Sequence, residues 1–93
     1  MEKKFKFKFL TIDSDITLVD QNVTSWKFIN KGQTKCKINN SLILNESQGS
    51  ALFDMFDEGL QSGEKTAQGY KIVFINELNK KNIVSIIMKI EVQ

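Results

Sequence analysis

The chain reads as an all-β protein, a small antiparallel β-sandwich or barrel of six to seven strands, and three features of the sequence predict this. Residues alternate in character over long stretches at both ends, Lys4 to Ile12 and Ile83 to Val92, with the period of a strand that has two unlike faces. Between them lie short runs rich in β-branched and aromatic residues, punctuated by Asp, Asn and Gly at the spacing of turns. No strand–helix–strand pattern and no internal repeat is visible, which sets aside α/β and solenoid architectures. With 93 residues, 41% hydrophobic and 26% charged, the chain has a globular composition and length for one core, so residues 1–93 are read as a single β domain.

In the first strand, Phe5, Phe7, Phe9 and Thr11 fall on one side and Lys4, Lys6, Lys8 and Leu10 on the other, which places the phenylalanines in the core and the lysines in water. Asp13-Ser14-Asp15 supplies side chains that stabilise turns, and Ile16 to Val19 forms a second strand joined to the first by a hairpin or a corner. Val23 to Ile29 is the third, with Trp26 as a core plug, and the turn Asn30-Lys31-Gly32 offers a glycine able to take positive φ. Thr34 to Ile38 returns from it, Thr34, Cys36 and Ile38 inward and Lys35 and Lys37 outward. Asn39-Asn40 is a tight turn into Ser41 to Leu44.

Glu46 to Gln68 supports two readings. Leu52, Phe53, Phe56 and Leu60 recur at helical spacing, with Ser50 as a cap and Gly59 as a stop, whereas Ala51, Phe53 and Met55 alternate as a strand does, so a short helix near 50–58 and a strand both stay open. Tyr70 to Ile75 and Ile83 to Val92 are the strongest strands and are expected to pair as a hairpin across the polar turn Asn76 to Asn82. The last strand is read as central, because Ile83 and Ile87 add apolar surface opposite Val84, Ile86, Met88, Ile90 and Val92.

The chain contains no histidine, which removes the commonest general base and the commonest metal ligand together. Cys36, the single cysteine, shares the inward face with Ile38 and reads as a buried thiol, neither half of a disulfide nor a nucleophile. Asp13 with Asp15, and Asp54 with Asp57 and Glu58, lack the glycine-punctuated spacing of a calcium loop and read as turn-forming or solvated residues. Gly59, Gly63 and Gly69 do not form a phosphate cradle. No catalytic, metal or cofactor-binding residue is assigned, and neither an enzyme activity nor a small-molecule substrate is expected.

Two surfaces remain as candidates. Leu52, Phe53, Phe56 and Leu60 offer spare apolar area for an interaction, and Lys4, Lys6 and Lys8 with Lys35 and Lys37 would line a nucleic-acid groove if their strands were neighbours. The net charge of +2 does not by itself demand a phosphate-coated partner. MEKKFKFKFL lacks the continuous apolar stretch of a signal peptide, and no later run is long enough to cross a membrane as a helix, so synthesis and folding in the cytoplasm are expected.

The order of Trp26-Lys27-Phe28-Ile29-Asn30-Lys31-Gly32, then Ile38-Asn39-Asn40, the loop Leu42 to Ser47 and the strand Tyr70-Lys71-Ile72-Val73-Phe74 resembles small β-sandwich virion proteins of tailed phages. The resemblance spans residues 23–75. It departs where those proteins often carry Pro-Gly and this chain has Asn45 to Gly49, and in the apolar character of Ala51 to Glu58. It implies a structural piece of a head, neck or tail, made in the host cytoplasm and carried in the virion, partnered by further copies or other virion proteins and without catalytic residues.

Overall fold

A computed structural model describes residues 4–19, 23–47, 53–58 and 69–92, and it arranges them in eight strands. These are β1 (Lys4–Ile12), β2 (Ile16–Leu18), β3 (Val23–Asn30), β4 (Cys36–Ile38), β5 (Leu42–Leu44), β6 (Asp54–Glu58), β7 (Tyr70–Phe74) and β8 (Val84–Val92). They form two four-stranded antiparallel sheets, β1-β8-β3-β6 and β2-β7-β4-β5, packed as a β-sandwich. The short helix left open near 50–58 is not formed over the described residues 54–58, which are β6. That strand takes the described count to eight, above the six to seven expected. Pairing with β3 decides the matter, because it places Phe56 opposite Phe28 on the inner face, where an isolated turn of helix would have no partner for it.

The core lies between the sheets. Trp26, Phe28, Val84, Ile86 and Met88 come from one and Cys36, Ile38, Leu44, Ile72 and Phe74 from the other, all buried. Trp26, Phe28, Phe56 and Tyr70 form an aromatic cluster with ring centroids 5.0–6.0 Å apart. A bulge between Val23 and Ser25 buries the consecutive residues Val23 and Thr24, and the Thr24 hydroxyl donates to the Lys89 carbonyl.

Among consecutive strands only β4 and β5 pair with each other; every other connection crosses between sheets. The expected hairpin of Tyr70–Ile75 with Ile83–Val92 is therefore not formed: β7 lies between β2 and β4, and β8 between β1 and β3. Likewise the segment after Gly32 does not return beside β3 but crosses to the other sheet. A polar loop between two good strands suits a crossover as well as a hairpin. The β4–β5 turn follows the expectation, with Asn39 and Asn40 both at positive φ.

Buried Asn30 organises one end of the sandwich. Its Nδ2 donates to the carbonyls of Thr34, Leu44 and Asn45 at 2.8, 3.1 and 3.0 Å, and its Oδ1 accepts from the Gly32 N–H. The Thr34 hydroxyl donates to Asn82, whose Nδ2 donates to Asn76 and to the Asp13 carbonyl. Gly32 serves this end through close packing and not through positive φ: a Cβ there would lie 2.5 Å from the Ile83 nitrogen and 2.8 Å from the Lys81 oxygen. Asp15, in the β1–β2 corner, accepts from the Phe74 N–H of β7 at 2.8 Å, a partner distant in the chain and not the nearby backbone expected of a turn residue.

Candidate interaction surface

β1 is an edge strand of nine residues, paired in unbroken register with β8 from Lys4 opposite Val92 to Ile12 opposite Val84. Opposed residues in an antiparallel pair share a face. Leu10 and Ile12 lie opposite the core residues Ile86 and Val84 and pack against the core, so the even-numbered side of β1 is the inner side. Lys4, Lys6 and Lys8 therefore belong to the inner side, and Phe5, Phe7 and Phe9 to the outer.

This reverses the expected parity. Phe5, Phe7 and Phe9 are 37%, 59% and 70% exposed instead of lying in the core. The two apolar residues at the C-terminal end of the strand, held under the second sheet, decide which face goes in. The lysines are exposed as well. Inward-pointing lysines on an edge strand oppose indiscriminate strand pairing.

The outer face of this sheet is an apolar field with balanced charge. Reading the register across it, Phe9 continues to Ile87, Lys27 and Asp57, and Thr11 to Ser85, Ile29 and Met55. Phe7 lies beside Phe9 at 6.4 Å between centroids and opposite Lys89, whose Nζ sits 4.4 Å from the Phe5 ring centroid. Phe53 and Met55 extend the field at the far edge, and both are exposed.

The other candidates divide. Phe56 is half-buried against Phe28 and Tyr70, so it belongs to the core and not to a docking patch, whereas Phe53 is surface, with Lys31 near its ring. Leu52 and Leu60 lie outside the described residues. Lys35 precedes β4 and Lys37 lies within it, in the sheet that does not contain β1, so they do not join Lys4, Lys6 and Lys8 in one groove. Sequence reasoning missed the phenylalanine row as surface. The signal available was Leu10 and Ile12, which keep the parity of the lysines.

The chemically active groups are turned to structural use. Cys36 is fully buried, and burial above all, with the Asp54 charge adding, pushes its thiol from 9.0 to about 11; a hydrogen bond from the backbone at Leu44 pulls the other way. Asp54 accepts from the Asn45 backbone at 2.8 Å and from its side chain at 3.2 Å. An open groove of about 320 Å³ along β2 and β7 is lined by Asp15, Ile16, Thr17, Lys71, Ile72 and Val73, and its one carboxylate is already bonded to Phe74. No helix among the described residues is long and apolar enough to cross a membrane. Set against protein-family models, curated proteins and solved structures, the chain matches none.

Proposed function

We propose that the chain is a non-enzymatic interaction and assembly protein that docks through β1 and the outer face of its sheet. One observation carries this reading: three phenylalanines stand in water along a nine-residue edge strand. Burying a phenylalanine is worth about 2 kcal/mol, so an uncovered row of three is a cost that a partner would recover. The resemblance to tailed-phage virion proteins supports a head, neck or tail as the setting, reached after synthesis in the host cytoplasm. The test is light scattering after size exclusion, and co-sedimentation with assembled particles, for the wild type and Phe7→Thr/Phe9→Thr. The wild type should self-associate or sediment and the variant should do neither; a wild type that stays monomeric at millimolar concentration and ignores particles contradicts the reading.

A second reading has its own observation. Lys89 and Lys27 share the outer face with the phenylalanine rings, and rings beside cations form a platform for single-stranded nucleic acid. Asp57 and Glu91 on the same face balance those charges, which favours a protein partner. Nucleic-acid binding would show as affinity for single-stranded DNA that falls steeply with salt.

A further inference from the structure

Half of β1 is open to an added strand. Among the described residues β1 pairs only with β8, and every residue from Lys4 to Phe9 is exposed, whereas Leu10 and Ile12 are half-buried. Along this stretch alternate residues turn their backbone N–H and C=O groups to the free edge, the groups with which a further strand would pair. The two faces of the stretch differ. Lys4, Lys6 and Lys8 stand on the inner side with no hydrogen-bond or ionic partner among the described residues, and Phe5, Phe7 and Phe9 stand on the outer. Side chains directly opposite across an antiparallel pair lie within about 5.5 Å, so a strand added here sets one residue beside each lysine and one beside each ring.

We infer that the occupant of this edge is an extended segment of a different chain, with acidic residues at alternate positions and apolar residues between them, added to the sheet antiparallel to β1. The inference rests on the reading of β1 as the docking element. Acids opposite Lys4, Lys6 and Lys8 neutralise a row of like charges, and apolar side chains beside Phe5, Phe7 and Phe9 take the rings out of water. A slip of one residue would set the acids against the rings, so the pattern fixes the register in steps of two. This chain carries no such segment of its own. The only acids two apart in its sequence are Asp13 and Asp15, in the β1–β2 corner, where Asp15 is bonded to the Phe74 N–H. The only acids four apart are Asp54 and Glu58, both within β6, where Asp54 is held by Asn45 and one Glu58 carboxylate oxygen is buried. A second β1 is a poor occupant too: antiparallel and with inner side to inner side, it sets lysine opposite lysine wherever the two Lys4–Lys8 stretches overlap. The lysine row thus discourages pairing between copies and admits an acidic strand.

The probe is a fluorescent heptapeptide that alternates glutamate and valine, with both ends blocked, titrated with the full chain. Its controls are a peptide of the same composition with the two residue types in separate blocks, and a peptide that alternates lysine and valine. The wild type should bind the alternating acidic peptide about tenfold more tightly than either control, with affinity falling as salt rises and amide exchange slowing from Lys4 to Phe9. Lys6→Glu/Lys8→Glu alters only exposed side chains, and circular dichroism verifies its fold; it should reverse the preference, to the lysine peptide. A wild type that binds the block peptide as well as the alternating one, or binds neither, overturns the inference. Particle binding or self-association that Phe7→Thr/Phe9→Thr abolishes and Lys6→Glu/Lys8→Glu leaves intact also overturns it while keeping β1 as the docking element; if both variants leave such binding intact, the reading of β1 falls as well. Single-stranded DNA bound in preference to the acidic peptide, and lost with Lys6→Glu/Lys8→Glu, overturns the inference in favour of a nucleic-acid partner.

Discussion

β1 and β8 are strands of nine residues each, paired residue for residue, and they use alternation in opposite ways. In β8 the apolar row Val84, Ile86, Met88 and Ile90 is buried between the sheets. In β1 the apolar row Phe5, Phe7 and Phe9 faces water. The contrast shows that alternation specifies two faces without specifying which is inside. For β8 the choice follows from its interior position, flanked by β1 and β3. For β1 it follows from Leu10 and Ile12, whose places opposite Ile86 and Val84 bind the rest of the strand to their parity.

The largest expected effect lies on the β8 side. Ile86→Ala, at a fully buried position in the middle of the sandwich, should cost about 2–5 kcal/mol in urea unfolding. Next is Asn30→Ala, which leaves the carbonyls of Leu44 and Asn45 and the Gly32 N–H without their side-chain partner. A loss of about 1–3 kcal/mol is expected, with amide exchange accelerating at Gly32 and Ser47. Leu10→Ala removes one of the two residues that set the parity of β1. It should cost about 1 kcal/mol and raise amide exchange along β1 before β3, which would sharpen the assignment of Leu10 as the anchor.

A smaller effect is read in alkali at Cys36. The unfolded thiol ionises around 9.0 while the folded thiol stays protonated to about 11, so between these values the folded state binds the extra proton. The stability associated with the neutral buried thiol is present below pH 9 and declines as pH rises toward 11. Cys36→Ala should flatten that part of the melting-temperature profile, and folded wild type should resist thiol reagents near pH 8.

Much of this fold is written in local pattern. Trp26 as core, the inward row Thr34, Cys36 and Ile38, the Asn39-Asn40 turn and β8 as an interior strand all follow from alternation and turn chemistry, which act over a few residues. What was not legible depends on contacts distant in the chain. The crossing of β7 to β8 between sheets, the strand state of Asp54–Glu58 and the packing need at Gly32 are each decided by a partner strand or loop. The candidate surface shows the same limit. Lys4, Lys6 and Lys8 stood out as a row, but the phenylalanines between them look like core until the register with β8 ties the lysines' side of the strand to the core residues Ile86 and Val84.

The most direct test of the display of the phenylalanine row is the unfolding free energy of Phe7→Thr/Phe9→Thr, measured in urea at dilution where the chain is not associated, with Trp26 fluorescence as the signal. Threonine keeps strand propensity, so exposed rings predict a loss below about 1 kcal/mol for the pair. A loss of several kcal/mol, the scale of about 3–5 for each buried phenylalanine truncated, would show that the rings belong to the core and that β1 faces the other way.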